Sequence, residues 1–408
     1  MKYLGKKSAA VRRISPGDAH YFFGYYDLQP YSADETKHLI HKTTFRNRLP
    51  EKYDVAEIGY IDMQSEEFVK LGDTRAWNFQ QGAMLQWNPK APDREIIYND
   101  FLNGEFCGVI MDIETGKKRF LDRPVANVSR DGNYALSINM ARLFDFRPGY
   151  GYCAKADSFY YRNHSDKDGV FLIDMNTGKS EMVLSLDEIW EFTKSFFATD
   201  QKMIINHITF NPSASRFIML VRNFPVKGQR HATALVTANR DGSDMYLLSD
   251  YGLQSHYWWI NDEDIIFLSD AKELECSQGL CNTYVFKDKT HDGYILADGF
   301  FWADNHMSIN SDGTLMITDS YPAATSDSVE GVYINEHSLL HLYDLKRDVC
   351  AAIGYFHSLP NSTGDVRCDL HPRFNRSGNG ITFDSTHEGF RGVYKIDLDS
   401  ETVDKLLK

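Results

Sequence analysis

A repeated pair of β-hairpins runs along most of the chain and restricts the folds open to it. One hairpin of each pair consists of a short apolar strand, a tight turn built on Gly or Asp, and a second strand. It occurs at residues 57–71, 107–121, 169–183, 233–248, 282–296, 341–353 and 392–406. Turn residues between alternating apolar positions are typical of hairpins. A hairpin of different character precedes each of these seven, so that every unit contains four strands.

Seven such units predict an all-β fold, a seven-bladed β-propeller of four-stranded antiparallel blades. The period of roughly 40–50 residues is that of propeller blades with insertions. We expect a single propeller domain over residues 1–408, with blades at about 20–72, 80–121, 124–185, 205–249, 254–298, 304–356 and 369–408. The hairpin at 392–406 is expected to supply the outermost strand of the last blade, with residues 8–14 as an additional strand or clasp.

One segment, residues 186–202, departs from the β pattern. Its apolar residues Leu186, Ile189, Phe192 and Phe196 follow a helical spacing behind an acidic first turn. This periodicity predicts one short helical insertion. We expect it to pack over the edge of a blade.

Charge and hydropathy exclude several classes of partner. The net charge of −13 argues against nucleic acid or an anionic membrane surface as the main partner. No apolar run approaches the length of a membrane span. The first 18 residues contain basic side chains without the apolar stretch of a secretory signal, so we expect a cytoplasmic location.

Four histidines occupy the same position of the repeat. They are His207, His256, His306 and His371, each three residues before an apolar residue in the first strand of a unit. The first strands of propeller blades line the central channel, so these side chains should meet at one mouth of that channel. The first three units have Leu28, Met84 and Val125 at this position. A purely structural consensus, which is the alternative, would be expected in all seven units.

Clustered imidazoles indicate a metal site. Their nitrogens suit Mn, Fe, Co, Ni or Zn, and a nearby carboxylate such as Asp369 could complete the coordination shell. Ca²⁺ prefers oxygen ligands and fits poorly. The candidate ligands from the sequence are the four histidines, with Asp369 and Asp304 beside two of them and Gln254 and Gln81 as amide candidates.

Long loops on the same face supply arginines and aromatic rings. Guanidinium groups bind carboxylates and aromatic faces bind sugar rings, so this set in an acidic protein predicts an acidic oligosaccharide as the substrate. The predicted substrate-binding residues are Arg46, Trp77, Gln81, Tyr152, Tyr321, Arg367 and Arg391. For the substrate carboxylate we select Arg142, Arg222 and Arg230.

Three motifs resemble those of a known family. The sequences SHYWW (255–259), NHMSINSDG (305–313) and DLHPRFNRSG (369–378), on a predicted seven-bladed propeller, resemble the oligogalacturonate lyases of pectin breakdown. The architecture is similar, more distantly, to that of the propeller ulvan lyases. The resemblance is by motif over roughly residues 205–390 and by architecture elsewhere.

The resemblance implies a manganese ion held by His306 and His371, with His256 as a further member of the cluster; Zn, Fe and Ni are alternatives. Where the family has a glutamine and a second histidine just before the last of these positions, this chain has Val366 and Asp369. A uronate-containing glycan other than oligogalacturonate is therefore an alternative substrate.

The implied reaction is β-elimination from a uronate. A metal or arginine neutralises the carboxylate, a base removes the C5 proton, and the C4–O bond breaks. The candidate bases are His207, Tyr26 or an arginine in a perturbed environment.

Two other functions remain open at this point. A glycoside hydrolase would use a pair of carboxylates among Asp27, Asp304 and Asp369. A non-catalytic, TolB-like propeller would use the channel only for binding. A serine hydrolase is disfavoured because the sequence has no G-x-S-x-G motif.

Overall fold

Seven antiparallel sheets arise from the repeat, as predicted. The computed structural model describes residues 1–197, 200–224, 231–270, 281–301, 303–321, 337–359 and 364–408, without the side chains of residues 250–252. Within these residues, each sheet contains four antiparallel strands in sequence order, apart from the changes in the last two blades given below. The seven-bladed β-propeller is therefore confirmed.

The strands are numbered along the chain, and β1 and β2 precede the first blade. Blades 1 to 3 contain β3 (His20–Phe22), β4 (Lys37–Thr43), β5 (Ala56–Asp62), β6 (Phe68–Thr74); β7 (Gln86–Trp87), β8 (Glu95–Leu102), β9 (Glu105–Asp112), β10 (Lys118–Phe120); β11 (Asn127–Val128), β12 (Tyr134–Ser137), β13 (Gly169–Asp174), β14 (Ser180–Ser185). Blades 4 and 5 contain β15 (Met203–Phe210), β16 (Arg216–Asn223), β17 (Thr233–Asn239), β18 (Tyr246–Gly252); β19 (Gln254–Trp259), β20 (Asp264–Ser269), β21 (Asn282–Lys287), β22 (Gly293–Ile295). Blades 6 and 7 contain β23 (Met307–Ile309), β24 (Leu315–Asp319), β25 (His337–Asp344), β26 (Val349–His357); β27 (Arg373–Phe374), β28 (Gly380–Ser385), β29 (Gly392–Asp397).

The first strand of each blade lies at the centre of the ring. Contacts between β11 and β15, β19 and β23, and β23 and β27 join neighbouring blades there. All eight residues of β15 are buried, because this strand is covered on both faces by other blades. The beginnings and ends of these inner strands therefore lie at opposite mouths of the channel.

The N-terminal segment closes the ring, and the predicted last strand is wrong. β2 (Val11–Arg13) pairs antiparallel with β29 and forms the outermost strand of blade 7. β1 (Lys2–Lys6) pairs parallel with β26 as a fifth strand of blade 6. The segment 392–406 thus forms one strand rather than a hairpin.

A helix takes the place of that expected strand. In α3 (Ser400–Leu406), the Asp399 side chain accepts a hydrogen bond from the Thr402 amide at 2.8 Å and caps the N-terminus. The apolar residues Val403 and Leu406 face the core shared by blades 6 and 7. The sequence DSETVDKLL therefore has a cap and helical spacing that outweigh the hairpin pattern.

Two further helices lie in the loops. The predicted helical insertion is present as α2 (Leu186–Phe197), which ends before the expected limit of residue 202. Helix α1 (Met140–Phe146) was not predicted; its cap Asn139 accepts a hydrogen bond from the Arg142 amide at 3.0 Å. No helix among the described residues combines the length and apolar character needed to cross a membrane.

Closure by β2 predicts a specific loss of stability. Deleting residues 1–13 leaves blade 7 with three strands, so we expect the free energy of unfolding to fall by about 2–4 kcal/mol, at ~1 kcal/mol for each sheet hydrogen bond lost. Denaturant titration followed by tryptophan fluorescence measures this loss. Deleting only residues 1–7 leaves both blades with four strands and should cost less. Equal stability of the two truncated proteins would contradict the role given to β2.

Candidate functional site

A cavity of about 500 Å³ opens at the channel mouth where the inner strands begin. Its walls include Arg147, Tyr150, Arg222, His256, Asp304, Tyr321, Arg367 and Asp369. They come from the starts of inner strands and from the loops after second strands, which is the face on which the sequence predicted function. His306 and His371 lie beneath this cavity, in ring contact with one another and, for His306, with His256.

Local irregularities of the backbone place the histidines. In β15, one extra residue between Ile205 and Ile208 interrupts the pairing with β16, and His207 lies in this bulge. In β19, the same irregularity between Gln254 and Tyr257 contains His256. A bulge turns a side chain that would otherwise follow the regular alternation of the strand. His371 precedes β27 and has a φ of 43°, an uncommon left-handed conformation for this residue type.

One carboxylate positions two of the histidines. Asp319, at the end of β24, accepts hydrogen bonds from the His306 amide at 2.8 Å and the His371 amide at 3.1 Å. The His306 Nδ1 lies 3.0 Å from both carboxylate oxygens. Nδ1–H therefore donates to Asp319, and Nε2, which lies 3.4 Å from the Tyr321 hydroxyl, is the nitrogen left to bind a ligand. This arrangement is typical of metal-binding histidines.

The carbonyl of Gly24 orients His371 in the same way. The His371 Nδ1 lies 2.9 Å from the Gly24 oxygen, so Nδ1 carries the proton. Its Nε2 is buried and has no hydrogen-bond partner among the described residues. Gly24 has a φ of 132°, and a Cβ atom there would lie 3.0 Å from the Gln81 carbonyl oxygen. Glycine is thus required for the backbone to present this carbonyl.

Asp369 supplies an oxygen beside these nitrogens. The ligand atoms of His306, Asp369 and His371 all lie within 4.8 Å of one another, and all three residues are buried. Arg367 holds Asp369 with its Nε 2.9 Å from Oδ1 and its Nη2 2.8 Å from Oδ2. Although burial opposes it, this carboxylate raises the pKa of Arg367 well above its usual value.

His256 lies at the edge of this cluster. Its Nδ1 is 2.9 Å from Asp304 Oδ1, and its ring centroid is 4.0 Å from that of His306. Burial, reinforced by His306, lowers the pKa of His256 to about 4. Burial and His306 likewise hold the pKa of His371 well below its usual value. Both rings are therefore neutral near pH 7, the form in which imidazole binds a metal.

His306 differs from its neighbours. Burial opposes protonation, but the Asp319 carboxylate raises the pKa of this ring. A bound cation competes with that proton for Nε2. An orphaned buried nitrogen, imidazoles oriented through Nδ1 and an adjacent carboxylate together fit a divalent transition metal.

Three guanidinium groups face the cavity above this cluster. Arg147 lies 3.6 Å from Asp365 Oδ1, and Arg367 Nη2 donates to the hydroxyl oxygens of Tyr150 at 3.0 Å and Tyr321 at 3.3 Å. Arg222 is buried. Among the described residues, its guanidinium forms only long hydrogen bonds, at 3.4 Å to Asn206 Oδ1 and 3.4 Å to the Gln254 carbonyl oxygen.

Arg222 is electrostatically unusual. Its Nε is buried and has no hydrogen-bond partner among the described residues. Burial, followed by repulsion from Arg147, lowers its pKa to about 10. The tyrosine hydroxyl group of Tyr321 lies 3.4 Å from His306 Nε2, between the arginines and the histidines.

Several predicted catalytic residues lie elsewhere. Arg142, on α1, is buried, with its guanidinium donating to the Met203 carbonyl oxygen at 2.6 Å and lying 3.3 Å from Asp157. Tyr26 donates its hydroxyl hydrogen to the Tyr257 carbonyl oxygen at 2.8 Å. Neither residue lines the cavity. The polar groups of both are used in these internal hydrogen bonds. Arg230 lies outside the described residues.

His207 packs among aromatic rings and does not line the cavity. Its Nε2 lies 2.8 Å from Asp27 Oδ2, and it stacks on Tyr257 with centroids 4.7 Å apart. Tyr25 contacts all four histidine rings, with centroid distances between 4.8 Å for His207 and 6.1 Å for His306. The repeat did bring the histidines together, but His207 does not form part of the cavity wall.

Of the predicted substrate-binding residues, Tyr321 and Arg367 line the cavity and the others do not. Trp77 donates its Nε1 hydrogen to the Asp54 carbonyl oxygen at 3.1 Å, and the Tyr152 hydroxyl accepts from Asn99 at 2.9 Å; both are core residues. Arg46 and Gln81 also lie outside the wall.

Arg391 acts on the backbone instead. Its guanidinium is buried and donates to the carbonyl oxygens of Val366, at 3.0 Å, and Arg367. It therefore supports the segment that carries Arg367 and Asp369.

Sequence reasoning did not select three important residues. Arg147 and Tyr150 lie in the loop after β12, but the sequence offered many loop arginines and tyrosines of equal standing. Asp319 could have been identified from the sequence, because the second strand of each unit usually ends in Asp, Asn or Ser. That pattern marks the position from which a side chain can reach the inner strand.

The carboxylates do not favour a glycoside hydrolase. Asp304 and Asp369 line the cavity, whereas Asp27 does not. Although burial opposes it, His256 holds the pKa of Asp304 well below its usual value. Asp369 is paired with Arg367. Glycosidases need one carboxyl with a raised pKa as the general acid, whereas the pKa of Asp304 is lowered and Asp369 is held in an ion pair with Arg367.

Comparisons with known proteins agree on the architecture. No family model and no curated protein matches the sequence. An oligogalacturonate lyase solved in complex with manganese is similar to this structure, with a TM-score of 0.66 and 16% identity, over 97% of this chain and 94% of that one. This chain has the fold of the oligogalacturonate lyases. The oligogalacturonate lyase from Vibrio parahaemolyticus gives a TM-score of 0.64 at 15% identity, over 97% and 95% of the two chains.

If the histidine cluster binds a metal, changing Asp319, which orients two of its histidines, should weaken metal binding. In Asp319→Asn, the amide cannot accept all of the hydrogen bonds that orient His306 and His371, so metal affinity should fall about 10–100-fold. We expect about one equivalent of Mn, Fe, Ni or Zn in protein purified without a histidine tag, and none in the His306→Ala/His371→Ala double variant.

Elemental analysis and competition with a chelator measure these changes. Asp292→Asn, on an exposed turn, is the matched control and should bind metal as the unmodified protein does. Metal-free protein, with a double variant of unchanged stability, would rule out the site.

Proposed function

We propose that this protein is a metal-dependent lyase that cleaves a uronate-containing oligosaccharide by β-elimination. The observation that carries the proposal is the arrangement of one cavity: three arginines line or overhang it, and the His306–Asp369–His371 cluster lies at its base. This combination provides cationic groups for a substrate carboxylate and for the charge that develops when the C5 proton is removed. The shared fold with oligogalacturonate lyases supports the reaction class.

Arg147 and Arg367 bind the uronate carboxylate in this proposal. Arg367 keeps a firm charge because its pKa is raised well above the usual value by Asp369, against the effect of burial. Its Nη2 also holds the hydroxyl groups of Tyr150 and Tyr321, which leaves these rings as fixed walls for the sugar. Orientation by fixed guanidinium groups and aromatic rings is an effective use of binding energy in catalysis.

Arg222 is the proposed base. Burial and Arg147 lower its pKa to about 10, so a neutral guanidine is accessible at moderately alkaline pH. Its unpaired Nε and long hydrogen bonds leave it able to accept a proton from C5. His207 and Tyr26 are less suitable because neither lines the cavity.

A metal bound by His306, His371 and Asp369, with His256 adjacent, would supply Lewis acidity to the carboxylate. Manganese is the metal we favour, by analogy with the lyase solved in complex with it. Asp369 and Val366 stand where that family is expected to have a histidine and a glutamine. The proposal therefore covers other uronate glycans as well as oligogalacturonate.

Lyase activity predicts an unsaturated product. Incubation with oligogalacturonate or another uronate oligosaccharide should raise the ultraviolet absorbance of a double bond conjugated to the carboxylate. Arg222→Ala should lower kcat by about 100-fold or more, since proton abstraction by a positioned group contributes roughly 10²–10⁴-fold. Arg119→Ala, on the exposed outer strand of blade 2, should leave the rate unchanged. Binding without any rise in absorbance across a panel of uronate glycans would favour a non-catalytic scaffold.

The role of Arg222 also predicts the pH dependence. The neutral form is the base, so kcat/KM should increase as pH rises towards its pKa of about 10. Lysine has an ordinary pKa about two units below that of arginine. In Arg222→Lys, the rising limb should therefore move to lower pH by about two units, because the same burial acts on a less basic group. An unshifted limb in this variant would assign the titration to another residue.

A further inference from the structure

A second cavity, of about 470 Å³, lies at the opposite mouth of the channel. It is built from the turns that join the first and second strands of the blades, at the far ends of the inner strands from the histidines. Residues 23–27 cross the channel between the two cavities; we call this segment the central plug. The sequence repeat predicted function only at the channel mouth with the histidines, and the proposed lyase reaction does not use the second cavity.

Arginines dominate the charge of this far cavity. Arg130, Arg373 and Arg376 line it, and Asp27 is the carboxylate on its wall. Arg373 is paired with Asp384, with its Nη2 2.8 Å from Oδ1, and Asp27 lies 2.8 Å from His207 Nε2. The remaining positive charge comes from Arg130 and Arg376.

Among the described residues, no carboxylate lies in direct contact with these two arginines. Neither forms a salt bridge with any residue in the described parts of the chain, and the Arg376 Nε donates to the Tyr31 carbonyl oxygen at 2.8 Å. Burial lowers the pKa of Arg130, partly offset by Asp262, and that of Arg376, partly offset by Asp93 and Glu35. In a chain with a net charge of −13, two guanidinium groups on one cavity that form no salt bridge with the described residues attract an anion.

The rest of the wall suits a sugar. Trp258 is half-buried and contributes an aromatic surface, while Gln86, Ser308 and Ser311 contribute neutral hydrogen-bonding groups. Aromatic rings pack against sugar faces, and polar groups on the wall form hydrogen bonds with the hydroxyl groups of a sugar. A compact inorganic anion would leave the indole surface unused. The volume is in the range of ordinary small-molecule sites.

We propose that this far cavity is a second binding site, specific for a small acidic saccharide. The carboxylate of the sugar lies between Arg130 and Arg376, and its ring lies against Trp258. The inference depends on the residues of this cavity and is independent of the lyase reaction at the other mouth.

The test uses D-galacturonate as the probe and ligand-observed NMR titration as the measurement. Arg147→Ala/Arg222→Ala removes two of the three arginines of the histidine-side cavity, which weakens binding there and leaves the far cavity intact. This double variant should still bind D-galacturonate. Adding Arg130→Ala and Arg376→Ala should weaken that binding by about tenfold or more, the effect of losing charge-assisted hydrogen bonds.

The matched control adds Lys117→Ala and Arg119→Ala to the same background. These exposed residues of blade 2 carry the same two charges, and their loss should leave D-galacturonate binding unchanged. Circular dichroism and thermal unfolding verify that all variants fold. The neutral sugar D-galactose should bind at least about tenfold more weakly, because it lacks the carboxylate.

Three results would overturn the proposal. They are no D-galacturonate binding in the Arg147→Ala/Arg222→Ala protein, equal binding after loss of Arg130 and Arg376, and equal binding of D-galactose. Inorganic phosphate that binds where D-galacturonate does not would also overturn the assignment to a saccharide. Arg130→Ala/Arg376→Ala in the otherwise unmodified chain should retain lyase turnover. A protein without lyase activity that still binds D-galacturonate through these arginines would refute the proposed function alone.

Discussion

The carboxylate of Asp319 is the interaction on which the candidate site depends. It lies at the end of the second strand of blade 6 and receives both the amide and Nδ1 of His306 together with the amide of His371. A buried carboxylate is costly unless donors surround it, and here the donors belong to the groups that must be positioned. One hydrogen-bonded centre therefore joins blades 6 and 7 and directs two imidazoles towards Asp369.

The central plug divides the channel of the propeller into two different cavities. Its Gly24 carbonyl orients His371, its Tyr25 ring contacts all four histidines, and its Tyr26 hydroxyl bonds to the backbone of β19. Asp27 continues it to the wall of the far cavity, and its carboxylate also pairs with His207. The chain thus fills the channel with side chains that also define the chemistry at both mouths. The mouth with the histidines combines metal-binding character with three arginines, and the far mouth combines arginines with an indole.

Particular residues show how far sequence reasoning could go. The repeat placed His256, His306 and His371 correctly at one mouth because all three enter equivalent strands. It could not show that His207 would pack against Tyr25, from a distant part of the chain, and stay out of the cavity wall. Arg142 and Arg147 are five residues apart and looked alike. Helix α1 places Arg142 in the core, and the turn after it places Arg147 in the cavity wall. Arg391, selected for substrate, instead binds the backbone that carries Arg367.

The fold class and the number of blades follow from local patterns, because hairpin turns and alternating apolar residues repeat seven times along the chain. The same repeat predicts which mouth of the channel holds the histidines. How the ring closes and which polar groups reach the cavity depend on tertiary contacts. Those outcomes depend on pairs that are distant in sequence, such as β2 with β29, His371 with Gly24, and Arg367 with Tyr150. No local pattern encodes such pairs, since each forms only when separate blades are brought together around the channel.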